Sequence, residues 1–285
     1  MNYLILKMVL RPAIYILVVF LSLSFYYFFI YIRPSRWKSE STPRSFDLEY
    51  EDIILKTKDG LRLSGWFIPQ KKSDKAVIIC HGYPTNKANV LDIANFLAPH
   101  YNLLLFDFRA MGESGGQFTS GGWKEREDFF SAVAFLKEKG FGDIGALGFS
   151  MGAAVILMSE SPEIKAIVSD SSYANLEGVI HIIFKNFGVF RYPFVKMMKL
   201  YYRLFFKVDM DRLSLLKYFS EIKTPVFLIH GERDSQIPLK HLELLHQQNS
   251  RSQLWIIPDA DHGEGLALRQ EEYQEKILAF FRDNL

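Results

Sequence analysis

Apolar and polar positions fall into three regimes along the chain. From Ala13 to Ile32 no charged residue occurs, and Arg11-Pro12 and Arg33-Pro34 close the run on either side. As a helix, that run is about 30 Å long, the thickness of a bilayer's hydrocarbon core. Tyr15, Tyr26, Tyr27 and Tyr31 lie towards its ends, where amphipathic rings favour an interface. A cleaved signal peptide is the competing reading. It is disfavoured because Phe25, Tyr26, Tyr27, Phe28 and Phe29 stand where small residues are needed for cleavage. Residues 1–33 are therefore expected to form an uncleaved single-pass transmembrane anchor. Basic residues flank both sides, so the side of the membrane on which the remainder lies is left open. Residues 34–48, with Pro34, Ser35, Ser39, Ser41, Thr42 and Pro43, read as a polar tether.

From residue 49 onward, short apolar runs alternate with segments of helical spacing. Two extended runs, 50–57 and 61–68, flank Lys58-Asp59-Gly60, a hairpin turn signal. Strands are expected at Lys75–Cys80, Tyr101–Phe106, Asp143–Phe149, Ile164–Ser169, Pro225–Ile229 and Leu254–Ile257. Helices are expected at Asn89–Leu97, Trp123–Lys139 and Met151–Ser159, the second because Phe129, Val133 and Leu136 fall on one stripe. Such alternation predicts an α/β fold, a mostly parallel sheet with helices on both faces. Ligands in such sheets sit outside the carboxyl ends of the strands.

One strand–helix junction carries chemistry. Gly148-Phe149-Ser150-Met151-Gly152 is a G-x-S-x-G pentapeptide in the only context where that pattern means a nucleophile elbow. A serine nucleophile requires a base, and the base an orienting acid, in the chain order Ser, acid, His for this elbow. His262, directly after the last strand, is the expected base. His230 reads as a structural residue, while His241 and His246 read as surface residues of a helix. Asp234 is the expected acid, beside His262 across two neighbouring strand ends; Asp170 is its competitor. Asp259 and Asp261 are expected to shape the loop around His262, and Glu232 to point elsewhere. The oxyanion formed in acyl transfer needs two donors. The backbone N–H groups of Met151 and of Tyr83, in His81-Gly82-Tyr83-Pro84, are the candidates.

Some fifty residues separate the strand ending near Asp170 from the one starting at Pro225, too many for a simple connection. About 175–215 is therefore expected to be a helical cap. Its Ile180, Phe184, Phe187, Phe194 and Met198 suit an acyl chain, although an ordinary amphipathic helix pair has the same pattern. Its Lys185, Arg191, Lys196, Lys199, Arg203 and Lys207 suit an anionic membrane surface.

Charge and cysteine content narrow the classes further. Residues 1–40 carry a net +4 and the remainder −2, for +2 overall, a distribution that gives no support for nucleic-acid binding. The single cysteine, Cys80, rules out an intramolecular disulfide and ends an apolar strand as a small hydrophobe.

From about residue 50 the chain resembles the α/β-hydrolase superfamily, and more narrowly its membrane-anchored, serine-peptidase-like members related to prolyl oligopeptidase. His81-Gly82, Asp107-Phe108-Arg109 with Gly112-Glu113-Ser114, Gly148–Gly152, Gly231 with Asp234, and Asp261-His262-Gly263 carry the likeness. It implies Ser150, Asp234 and His262 as a triad, Tyr83 and Met151 as oxyanion donors, and the Asp107–Gly112 segment as a structural loop. A single glycine follows His81, where many lipases and esterases have a Gly-rich run, which bears against a bulky alcohol in the substrate. The expected activity is hydrolysis of a carboxylic ester or thioester of a small-molecule or lipid-like acyl group, with no metal or organic cofactor. Cleavage of short peptides by the same mechanism is the first alternative. A non-catalytic binding protein keeping the fold is the second.

Overall fold

The computed structural model describes residues 3–159 and 161–285, so the first two residues of the expected anchor lie outside it. In chain order the elements are α1 (Tyr3–Ile32), β1 (Glu51–Lys56), β2 (Arg62–Ile68), β3 (Lys75–Cys80), α2 (Leu91–Leu97), β4 (Asn102–Phe106), α3 (Glu125–Glu138) and β5 (Asp143–Phe149). There follow α4 (Met151–Ser159), β6 (Ile164–Asp170), α5 (Leu176–Ile183), α6 (Arg191–Phe206), β7 (Val226–Gly231), α7 (Lys240–Gln248), β8 (Gln253–Ile257), α8 (Gly265–Leu268) and α9 (Gln270–Asn284).

The strands form one sheet in the order β1-β2-β4-β3-β5-β6-β7-β8. The β1–β2 hairpin is antiparallel, β2 is antiparallel to β4, and every later pairing is parallel. Alternate residues of β3 feed two cores, one per face. Ile78 packs with Leu104, Phe129 and Leu157, whereas Val77 and Ile79 pack with Leu103, Leu105 and Phe281. α3 buries Phe129, Ala132, Val133 and Leu136, a helical stripe, and carries Glu125, Glu127 and Asp128 in its first turn, where the dipole favours them. α4 is apolar all round because it is buried all round, between α3 and the sheet.

The expected helix from Asn89 is shorter as an α-helix. Asn86 caps a 3-10 turn, Lys87–Val90, by accepting from the Ala88 N–H, and α2 starts only at Leu91. Between β6 and β7, α5, a 3-10 stretch (Lys185–Phe190) and α6 form a helical excursion over the carboxyl edge of the sheet.

α1 contains Leu10–Ile32, long and apolar enough to span a membrane, with mean hydropathy 2.3 in its most apolar window and 11% of that window buried. Tyr15, Ile16 and Val19 are exposed, so this part differs from a core helix. Its last turns are docked, with Ser24, Phe28 and Ile32 buried against α6 and the loop at Thr119. The polar stretch 34–48 also lies against the domain. The Trp37 carbonyl accepts from Asn86 Nδ2 at 3.0 Å, and Pro43–Phe46 forms a 3-10 turn.

Candidate active site

Three strand ends bring the candidate residues together. Parallel register sets Phe149 beside Asp170, Asp170 beside Ile229, and Gly231 beside Ile257, so the loops after β5, β7 and β8 emerge at one edge. Ser150, between β5 and α4, has φ 53°, the left-handed conformation of a tight elbow. The flanking glycines are required by close approach. A Cβ on Gly148 would lie 2.4 Å from the Ala153 nitrogen, and one on Gly152 would lie 2.5 Å from the Cys80 carbonyl. The Ser150 N–H donates to the Asp170 carbonyl at 2.8 Å, tying the elbow to β6.

Ser150 Oγ is 3.1 Å from His262 Nε2. His262 Nδ1 donates to Asp234 Oδ2 at 2.7 Å, since a carboxylate only accepts, which leaves Nε2 as the acceptor facing the serine. Asp234 is buried, and its Oδ1 accepts from the N–H groups of Gln236 and Ile237 at 2.9 and 2.7 Å. Both oxygens of this carboxylate are therefore engaged, and His230 Nε2 lies a further 3.4 Å from Oδ2. The Phe149 ring lies 4.9 Å from the imidazole, centroid to centroid, and holds it over the elbow. Asp261 accepts from the Ser235 and His262 N–H groups at 2.7 Å each, and this clamps the two loops together. Asp259 pairs with Arg233, and Glu232 accepts from the Asp259 N–H.

The Asp170 carboxylate is bonded to other partners than His262. It is buried and accepts from Tyr273 Oη at 2.7 Å and Ser171 Oγ at 2.9 Å; burial pushes its carboxyl pKa upward. His230 is buried and bonds the Ile237 carbonyl through Nε2 at 2.6 Å, the expected structural role. His241 differs from expectation. It is buried under α5, where its Nδ1 accepts from the Ala174 N–H at 3.1 Å. Burial above all depresses its pKa to about 4, with a smaller contribution from the neighbouring Lys240, so it is neutral.

On the other side of the elbow, His81 fixes the turn that carries Tyr83. Its Nδ1 donates to the Gly82 carbonyl at 2.6 Å, and its Nε2 accepts from the Phe108 N–H at 3.0 Å. Burial lowers its pKa, consistent with that neutral tautomer. Gly82 allows this turn to approach closely; a Cβ there would meet Phe149 at 3.0 Å and Ser150 at 3.2 Å. Met151 begins α4, so its N–H has no partner one turn earlier in the helix. Tyr83 and Met151 both line a cavity of about 460 Å3 that also reaches Ser150 and His262. Tyr83 Oη donates to the Tyr31 carbonyl at 2.9 Å, and burial pushes its pKa up to about 12.

Sequence reasoning missed a buried ionic cluster beside this turn. Lys87 Nζ bonds Asp107 at 2.8 Å, Glu113 at 3.1 Å and Ser64 Oγ at 3.1 Å, while Asp107 also accepts from the N–H groups of Lys87 and Glu113. The only signal was a lysine just after an asparagine cap. It also missed Glu125, which gathers the Thr119 and Ser120 hydroxyls and the Ser120 and Gly122 N–H groups into the loop forming one cavity wall.

A hydroxyl facing an imidazole whose far nitrogen meets a buried carboxylate, set on a strand–helix elbow of a parallel sheet, defines the class of α/β hydrolases. The family model described as alpha/beta hydrolase fold matches residues 75–196. A crystal structure of the esterase Pf2001 from Pyrococcus furiosus superposes with a TM-score of 0.76 at 32% identity, covering 90% of this chain and 98% of that one. The Bacillus subtilis protein YqkD is 26% identical over 247 residues, 84% of this chain and 81% of its own. Protein bem46 of Schizosaccharomyces pombe is 25% identical over 215 residues, covering 72% and 67%. The chain belongs to the α/β-hydrolase family, and hydrolysis is the chemistry that membership supports.

Proposed function

We propose that the protein is a membrane-anchored serine hydrolase that cleaves carboxylic esters or thioesters of apolar acyl groups through an acyl-enzyme on Ser150. The observation that carries this reading is the unbroken hydrogen-bond chain from Ser150 Oγ through His262 to Asp234. Ser150 Oγ attacks the carbonyl carbon as its proton passes to His262 Nε2. The imidazolium so formed is stabilised by Asp234, already bonded to Nδ1. The tetrahedral oxyanion lies between the N–H groups of Met151 and Tyr83, donors placed before charge develops. Collapse expels the alcohol or thiol, which takes the proton from Nε2. Water then repeats the sequence on the acyl-enzyme, releasing the acid and restoring Ser150.

Two features favour an apolar acyl group. The cavity is walled by Val179, Ile180 and Phe184 of the cap segment, Met198 of α6 and Phe28 of α1, and its volume suits a small ligand. The likeness to the Pyrococcus furiosus esterase, at 32% identity, supports an ester as the scissile bond. In this reading residues 1–33 are the anchor, 34–48 the connecting segment, and 49–285 the hydrolase domain, with its cap at about 175–215. A fluorophosphonate probe tests the chemistry. Wild type should label and turn over p-nitrophenyl esters, and Ser150→Ala should do neither. Equal labelling of the two proteins, or none of wild type, would refute the proposal.

A further inference from the structure

The cavity beside Ser150 is closed on one side by α1. Phe28, Tyr31 and Ile32 line it, and the Tyr31 and Ile32 carbonyls accept from Tyr83 Oη and the Thr119 N–H. Docking extends back along the helix. Ser24 Oγ meets Tyr201 Oη at 3.1 Å, Tyr27 packs on Phe184 and Phe194, and Phe20 packs edge-on against Phe194 at 5.0 Å. The docked stretch from Phe20 to Ile32 measures about 18 Å along the axis.

That docking conflicts with an anchor standing clear of its domain. Leu10–Val19 alone is about 15 Å long, half of a bilayer core. Sliding the span towards the N-terminus to compensate would centre it on Arg11, an unfavourable place for a charge. The docked turns therefore have to sit at hydrocarbon depth, and α6 with them. Phe20 meets Phe194, Ser24 meets Tyr201 and Phe28 meets Phe205, so the two helices run side by side in the same direction. The turn before α6 thus lies level with the deeper part of α1. Val189 there is 73% exposed and Phe190 68%, with Tyr192 following, a tip of apolar side chains that water disfavours, flanked by Lys185 and by Arg191, which lies over the Tyr192 ring. Further along α6, exposed Leu200 and Leu204 alternate with exposed Lys196 and with Arg203, which pairs with Asp209 at 3.4 Å; cations on such long stems suit the headgroup level of a membrane. Ile183, on the cavity lining and partly exposed, comes just before this tip, so the cavity's rim and the tip adjoin.

We propose that the cap dips into the bilayer beside α1, with Val189 and Phe190 among the acyl chains, and that the cavity draws its substrate, a membrane-borne acyl ester, from there. The second half of this proposal rests on the Ser150 reading; the first does not.

The full-length chain in phosphatidylcholine–phosphatidylglycerol nanodiscs tests both halves. Native Cys80 is fully buried and spares the labelling, so Val189→Cys takes an environment-sensitive fluorophore, with Lys72→Cys, exposed before β3 at the opposite sheet edge, as the aqueous reference. Lipids brominated in their acyl chains should quench the Val189 site severalfold and leave the Lys72 site unchanged, with iodide doing the reverse. Iodide quenching of the Val189 site to the level of the Lys72 site overturns the insertion. In the same nanodiscs, wild type should release a fluorogenic acyl chain from an embedded acylglycerol and Ser150→Ala should not. Hydrolysis of p-nitrophenyl acetate without release of the embedded chain overturns membrane feeding. Failure of wild type on every ester and on fluorophosphonate refutes the Ser150 reading instead, and the quenching data still decide the insertion.

Discussion

Replacing Asp234 by asparagine tests the proposed mechanism at its most specific point. The side chain keeps its shape, so the consequence follows from hydrogen-bond direction. In the native protein Oδ1 accepts from two N–H groups, the buried one of Ile237 and the part-buried one of Gln236, and Oδ2 accepts from His262 Nδ1. An amide has one acceptor end and one donor end. If its oxygen serves the two N–H groups, its NH2 faces Nδ1 and forces the histidine proton onto Nε2. Nε2 then donates towards Ser150 and cannot take its proton. The opposite flip keeps the tautomer but sets an NH2 against two N–H donors, leaving at least the buried Ile237 donor unsatisfied at about 1–3 kcal/mol. The wrong tautomer is therefore preferred. The corresponding substitution in a serine protease triad lowers kcat about 10⁴-fold, which is about 5.5 kcal/mol at roughly 1.36 kcal/mol per decade. For Asp234→Asn, kcat/KM on a p-nitrophenyl ester and the rate of fluorophosphonate labelling should fall together on that scale. Asp170→Asn is the comparison, because no hydrogen bond links that carboxylate to the imidazole. A loss below tenfold for Asp234→Asn, or a larger loss for Asp170→Asn, would refute the assignment of the acid.

Two further predictions concern stability. His241 has a folded pKa of about 4 against an ordinary 6.5, so below pH 6.5 the unfolded chain binds the proton first and stability falls with acidity. The loss is about 1.4 kcal/mol per pH unit, or about 3 kcal/mol by pH 4. His241→Asn places an amide oxygen where Nδ1 accepts, so its urea midpoint should decline less steeply between pH 7 and 4.5 than that of wild type; parallel declines would count against the burial argument. Lys87→Met leaves the buried Asp107 carboxylate without its cation, a change that costs about 3–5 kcal/mol. At roughly 2–4 °C per kcal/mol for a domain of this size, Tm should fall by about 10 °C. A shift within about 3 °C would mean that the N–H groups of residues Lys87 and Glu113, which donate to the Asp107 carboxylate, already satisfy the site.

Much of the fold and of the candidate site was legible in the residues. The β3, β4 and β5 runs are continuous and apolar because both sheet faces are covered, and that pattern is visible without coordinates. Gly148 and Gly152 flag a junction too tight for a Cβ, and Asp234 and His262 follow later strands in the order such an elbow requires. His241 escaped because one polar residue on an amphipathic helix looks the same whether it faces water or the Ala174 N–H. Lys87 escaped because a buried lysine is recognisable only from carboxylates that arrive from other segments, here Asp107 and Glu113.

Sequence alone determined what forms locally, namely the apolar N-terminal helix, the strand–helix alternation and the glycine-flanked serine. Each depends on periodicity or on a turn within a few residues. The tertiary structure decided what meets what. It chose Asp234 over Asp170 as the partner of His262, and it set the end of α1 against the cap so that Phe28, Tyr31 and Ile32 wall the cavity. Ser24 and Tyr201 touch across 177 positions, and no local pattern encodes such a contact. It follows from the packing of whole apolar faces, in which the last turns of α1 and the inner side of α6 cover each other.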